Sequence, residues 1–261
     1  MELYTGSMSD WDAAQYHRLS DPQRSWGLPV LERLGPAPGE RILDIGCGTG
    51  RLTSEIHARE PSVRLTAVDR SRTMLTEARR ASPSDIRFAQ ADAAHLPFPP
   101  GFDAVFSTAT FHWVPDHPRL FSEIHRVLVA GGRLVSQAGG GPNLSRLYAR
   151  TAALAREPDL SCWFEGWQDP WNFAGIDDTR ARLEQAGFTR IDVWLESTPT
   201  TLPGAQAFGE FVTTVCLRHQ LDRLPVERRG SFVQRITEQA AEDDPPFTLD
   251  YWRLNIDGRK E

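Results

Sequence analysis

From Arg41 to Gln137, short runs of apolar and β-branched residues alternate with stretches whose apolar positions recur at helical spacing. Arg41–Ile45 predicts a first strand, closed by Gly46-Cys47-Gly48-Thr49-Gly50, and Arg51 to about Arg59 predicts a helix. Arg64–Val68 reads as a second strand ending in Asp69, with Ser71 placed to cap a helix carrying Met74, Leu75 and Ala78. Ile86–Ala91 gives a third strand ending at Asp92, Phe102–Ser107 a fourth, and Arg133–Gln137 a fifth. Leu120, Ile124, Val127 and Leu128 predict a helix between the last two, stopped by Gly131-Gly132. Such alternation implies βαβ units and an α/β fold: a Rossmann-like, doubly wound, mostly parallel sheet that holds ligands at its strands' carboxyl ends. Asp44, Gly46, Asp69, Asp92 and the stretch Ser107–His112 all fall at those ends.

Beyond residue 141 the pattern changes. Trp163, Phe164, Trp167, Trp171 and Phe173 crowd a stretch rich in Gly and Pro. It reads either as a lid that excludes water and accepts apolar substrate surface, or as the packed core of a small helical cap. Residues 177–186 predict a helix, Phe188–Glu196 a strand, Ala205–Leu221 and Val226–Ala241 two helices, and Phe247–Ile256 a last strand. The organisation expected is a helical segment folding over the ligand (1–34), a core (35–141), an aromatic cap or lid insertion (142–176) and a C-terminal part of the sheet (177–261). That last part carries its own helical insertion at about 204–242.

Composition narrows the chemistry. With 261 residues, 40% hydrophobic and 25% charged, the chain suits a folded globular protein. Its net charge of −6 supplies no basic face for a phosphate backbone, so no nucleic acid is expected. No apolar run approaches the ~18 residues of a membrane span, and the N-terminus lacks a secretion-signal core. Cys47, Cys162 and Cys216 are too scattered for a disulfide framework or a thiolate metal site. The expectation is a cytoplasmic monomer or homodimer without metal, acting on a small molecule.

Glycines at 46, 48 and 50 let the backbone turn tightly and approach a ligand, and the following helix presents free N–H groups. An acidic residue at the end of the next strand, Asp69, suits ribose hydroxyls. A dinucleotide fingerprint fails because Arg51 stands at its third glycine, and the phosphate-cradling G-x-x-x-x-G-K pattern is absent. A nucleoside cofactor without phosphates remains.

Here the chain resembles the class I S-adenosylmethionine-dependent methyltransferases. Glu40–Gly50 is similar to their first motif, Val68–Leu75 to their acidic second strand and following helix, and Ala91–Ala93 with Leu96–Phe98 to the loop flanking adenine. The fold implied has a seven-stranded sheet with a helical cap, and the cofactor is S-adenosylmethionine, leaving as S-adenosylhomocysteine. The resemblance implies that Asp44 holds the methionine end, Gly46 and Gly48 make room, Asp69 binds ribose, Met74 packs nearby and Asp92 accepts from the adenine amino group. Cys47, Arg70, Ala93, Thr108 and Tyr16 complete that cofactor set. Trp11–Tyr16, Phe111–His117, Arg190–Trp194, Cys216–Arg218 and Pro245-Pro246 further resemble the trans-aconitate 2-methyltransferases. This chain departs from them with His112 where Gln is typical and Thr108 where Asn is common.

Methyl transfer from a sulfonium requires a nucleophile ~3–3.5 Å from the methyl carbon. An ionised carboxylate needs no base, whereas a phenol, hydroxyl or carbon acid needs one within hydrogen-bond reach. His112 is the catalytic candidate on which these readings divide: it either donates to a carboxylate or takes a proton. Arg218 offers a carboxylate clamp, and Gln15, Tyr16, Trp113 and Trp163 are further substrate-binding candidates. Esterification of a carboxylate is the leading expectation. Methylation of a natural-product intermediate at O or C with His112 as base is the second, and a non-catalytic S-adenosylmethionine-binding regulator the third.

Overall fold

The computed structural model describes the backbone from Asp21 and side chains from Trp26 onward. Nine strands are described: β1 (Arg41–Ile45), β2 (Arg64–Asp69), β3 (Arg87–Gln90), β4 (Phe102–Thr108), β5 (Leu128–Gly139), β6 (Phe188–Ser197), β7 (Thr200–Thr201), β8 (Thr248–Leu249) and β9 (Trp252–Lys260). The helices are α1 (Asp21–Leu34), α2 (Arg51–Arg59), α3 (Arg72–Ala81), α4 (His117–Val127), α5 (Ser145–Leu154), α6 (Ile176–Gln185), α7 (Ala205–Phe211), α8 (Arg218–Arg223) and α9 (Val226–Ala240).

The main sheet has seven strands in the order β3-β2-β1-β4-β5-β9-β6. Strands β1 to β5 run parallel, and β9 is antiparallel to both neighbours. Buried on both faces, β1 and β4 carry near-continuous apolar runs that split by the period of two. Ile42, Ala104 and Phe106 face a core with Val30, Leu31 and Leu34 of α1 and Ile56 of α2. Leu43 and Val105 face the opposite core with Leu120, Phe121 and Ile124 of α4 and Leu183 of α6. Ser71 caps α3 by accepting from the Met74 N–H, and Asp116 caps α4 through Arg119.

A separate apolar cluster lies away from the sheet, built from Leu144, Leu147, Phe164, Phe208, Phe211, Leu217, Phe232 and Ile236. It forms the cap, joined by the small β7–β8 ribbon.

Several boundaries differ from the sequence expectation, the fifth strand running Leu128–Gly139 among them, and three of the differences have a visible physical cause. The fourth helix stops at Val127 rather than Gly131, because the Gly101 N–H takes the Val127 carbonyl and Lys260 Nζ takes those of His125 and Leu128. The strand expected at Phe247–Ile256 divides, since the Tyr251 N–H closes a tight turn on the Leu249 carbonyl, and its second part pairs as far as Lys260. The single helix expected over Ala205–Leu221 is interrupted by a π turn, Val212–Cys216, marked by the Leu217 N–H reaching the Val212 carbonyl.

Candidate functional site

The turn after β1 carries Gly46, Gly48 and Gly50 in the left-handed region, at φ 76°, 54° and 77°. A Cβ on Gly46 would come within 2.0 Å of Thr110 Oγ1, while nothing lies within 4 Å of one on Gly48. Gly46 therefore packs against the loop after β4, and Gly48 borders open space. The Gly46 and Cys47 N–H groups both reach the Val68 carbonyl, pinning the turn to β2. Ser107 Oγ donates to the Ile45 carbonyl and ties β4 to the same turn.

Asp69 ends β2 with its carboxylate accepting the Gly48 N–H at 2.9 Å and the Ser71 N–H at 2.8 Å. Burial pushes its pKa up against the pull of those bonds. Asp44, only 3% exposed, accepts from Thr53 Oγ1 at 2.6 Å. Its pKa is pushed up to about 7, first by burial and then by the charge of Asp69, the Thr53 bond opposing. Burial likewise raises the Cys47 thiol. Met74 is buried on α3, Arg70 is exposed beside Asp69, and exposed Asp92 holds its own turn through the Ala94 N–H, with Ala93 half-buried between them. These groups form one crevice along the carboxyl ends of β1 to β3.

At the ends of β4 and β5 the crevice gives way to two adjoining clefts. The smaller, about 200 Å³, is lined by Trp26, Thr108, Ala109, Gln137, Ala138 and Arg253. The larger, about 510 Å³, shares Trp26, Ala109 and Arg253 and adds His112, Trp113, Tyr148, Trp171, Phe173 and Tyr251 among others. Ala109 stands between them at φ 52°, a left-handed conformation fixed by its N–H on the Gln137 carbonyl.

His112 lies in a 3₁₀ turn after β4, and its Nδ1 accepts the Gly139 N–H at 3.1 Å. Burial, then the charges of Arg253 and His117, lowers its pKa to about 3. Arg253, 5% exposed at the start of β9, lies opposite Gly139 in the sheet. Its guanidinium stacks 3.5 Å from the Trp26 ring centroid and 4.5 Å from that of Tyr251.

Several expected substrate groups are not brought to this cleft. Trp163 packs against the cap core, its carbonyl taken by Arg223 and its ring beneath Arg228. The aromatic segment divides: Phe164 stacks on Phe232 in the cap, while Trp171 and Phe173 line the cleft. Arg218 approaches Asp222 one turn along α8, and the cleft takes Val215 and Cys216 of the neighbouring π turn instead. Gln15 and Tyr16 lie outside the described residues. Arg253, Trp26, Tyr148 and Tyr251 line the cleft without any sequence motif to mark them.

Residues 43–136 match the family described as a methyltransferase domain. The chain is 33% identical over 255 residues to the trans-aconitate 2-methyltransferase of Methylobacterium nodulans, spanning 92% of each chain. It is 30% identical over 240 residues to the enzyme of that name from Escherichia coli O1:K1, spanning 91% of each. The chain belongs to the trans-aconitate 2-methyltransferase family. The solved phosphoethanolamine N-methyltransferase 2 of Haemonchus contortus, in complex with S-adenosyl-L-methionine, shares the fold with a TM-score of 0.61 at 20% identity. That match covers 95% of this chain and 56% of the other.

The protein is thus an S-adenosylmethionine-dependent methyltransferase with the seven-stranded, helix-flanked sheet of its class. The crevice suits the cofactor: Gly48 leaves space where a side chain would intrude, and Asp69 ends the strand beside it. Among the described residues no cluster of His, Cys, Asp or Glu could hold a metal, and no helix is long and apolar enough to cross a membrane.

Proposed function

We propose that this methyltransferase esterifies a carboxylate oxygen of a small organic acid, with His112 and Arg253 orienting the acceptor. One contact carries the reading: the Gly139 N–H on His112 Nδ1. With that lone pair engaged, a neutral ring carries its proton on Nε2, where it donates and cannot accept. The pKa of about 3 keeps the ring neutral across physiological pH. Such a group is a poor base and a sound donor, which suits an acceptor already ionised and argues against a phenol or carbon acid.

When bound, S-adenosylmethionine supplies a methyl group activated on a sulfonium. A carboxylate oxygen lone pair forms the new C–O bond as the C–S bond breaks, that pair remaining on sulfur. An anion and a cation become a neutral ester and a thioether, and no proton moves. The chain's contribution is position: Asp69, Gly46, Gly48, Asp44, Met74 and Asp92 would hold the nucleoside and amino-acid ends, while the His112 N–H and Arg253 guanidinium would fix the carboxylate in line. Burial raises the pKa values of Tyr148 and Tyr251, so both stay protonated; the Tyr148 hydroxyl donates to the Cys216 carbonyl, and that of Tyr251, beside Cys216 Sγ, can donate as well. The curated relatives named for trans-aconitate support a carboxylate acceptor. Cys47, Cys162 and Cys216 are free thiols, in keeping with action in the cytoplasm, as a monomer or homodimer.

The test is incubation with methyl-labelled cofactor and a panel of acids and phenols. Methyl esters, formed at a rate flat above pH 6, are expected. Ethers, or a rate climbing with pH, would overturn the reading in favour of base catalysis. Cofactor binding without any product would leave a regulator.

A further inference from the structure

Carboxylate transfer leaves open what the carboxylate hangs from, and the walls of the larger cleft bear on that. The His112 ring centroid lies 5.7, 5.5 and 5.8 Å from those of Trp113, Trp171 and Phe173. Trp113 and Trp171 meet at 3.9 Å, and Trp171 and Phe173 stack at an interplanar angle of 10°. His112 is thus set within an aromatic wall. The wall is fixed in place, because the Asn172 N–H donates to the His112 carbonyl and Asn172 Nδ2 to the Pro115 carbonyl. Among the described lining residues Arg253 is the one cation, and it faces the same space.

Ring faces carry negative charge and repel carboxylates, while they attract flat apolar surface. A tricarboxylate that placed one group on His112 and Arg253 would press its other two against these rings, where the described lining offers no second cation. Resting on the ester reading, we propose that the preferred acceptor is a monocarboxylic acid with a flat, apolar body one or two bonds from the carboxylate, selected by Trp113, Trp171 and Phe173. Such a body stacks along the Trp171–Phe173 wall while its carboxylate reaches the cationic side of the cleft. The chemistry of transfer is unchanged: one C–O bond forms, the C–S bond breaks, and the ester leaves neutral into an apolar environment.

The experiment uses the full chain with S-adenosylmethionine and compares methyl ester yields from 3-phenylpropanoate, indole-3-acetate, butanoate and trans-aconitate. The expected result is a kcat/KM for the aryl acids at least 100-fold above that for trans-aconitate. Trp171→Ala should narrow the ratio between 3-phenylpropanoate and butanoate by at least tenfold, with S-adenosylhomocysteine affinity confirming a folded chain. Phe173→Leu, which conserves most of the volume, should narrow it in the same direction. Preference for trans-aconitate, or an aryl-to-alkyl ratio unmoved by both variants, overturns this inference and leaves esterification standing. Methyl ethers from phenols with no ester from any acid overturn both.

Discussion

The glycine-turn crevice proposed for the cofactor and the aromatic cleft proposed for the acceptor are built in opposite ways. The crevice is made of backbone turns and carboxylates that stand close in sequence, Asp44 to Gly48 and Asp69 to Ser71, held by strand ends whose positions the sheet dictates. The cleft is made of side chains drawn from α1, the turn after β4, α5, the Trp171–Phe173 segment, the π turn and β9. One half is a motif that any member of the class can share, and the other is an assembly that a few substitutions can remodel. Binding of the methyl donor and choice of the acceptor are therefore expected to be separable by mutation.

Arg253→Ala provides the largest effect and the sharpest break. It should lower kcat/KM for acids about 10²- to 10³-fold, the usual cost of removing one partner of a desolvated charge pair. Its S-adenosylhomocysteine Kd, measured by calorimetry, should stay within about threefold, since the guanidinium lies on the cleft side. Equal losses in both would merge the two halves.

Asp69→Ala should do the reverse, weakening S-adenosylhomocysteine at least ~100-fold, about 2.7 kcal/mol, through the loss of charged hydrogen bonds. Asp69→Asn, which can still accept the Gly48 N–H, should fall between.

Asp44 tests the crevice through pH. Its folded pKa of about 7 lies above the unfolded value near ~3.9, so the native state binds more protons between those limits and stability declines as pH rises through them. Asp44→Asn should remove that slope and raise the unbound protein's Tm at pH 8 by about 5 °C, while weakening the cofactor. A slope that persists in the variant would assign the titration elsewhere.

His112→Gln keeps an N–H donor and should retain activity within about fivefold, whereas His112→Phe should lose roughly 30-fold, both with pH-independent rates above 6. A Gln variant as poor as the Phe variant would restore the histidine as a base. Trp163→Phe should change turnover less than about twofold, because the ring packs on the cap and not on the cleft.

The difference between the halves also explains what the sequence could tell. Gly46, Gly48, Asp69 and Asp92 were legible because parallel strands put their carboxyl ends on one edge, so position along the chain maps directly onto position in space. Arg253 broke that rule. It stands at the amino end of β9, and only the antiparallel pairing opposite Gly139 carries it to the same edge. Val215 and Cys216 were hidden by a π turn that periodicity reads as continuous helix. The aromatic segment was divided by a choice that composition leaves open: Phe164 found a partner in Phe232, while Trp171 found Trp113. Cap burial and cleft lining draw on the same residue types, so only tertiary contacts separate them.

The late position of β9 has a consequence for synthesis. Although last in sequence among the described strands, it is threaded between β5 and β6, which share no ladder of their own. On the ribosome, β6 can join the sheet only once residues near 252–260 have left the exit tunnel, because β9 is its one partner among the described strands. The same event delivers Arg253, so the described seven-stranded sheet closes and the cleft gains its guanidinium in a single step.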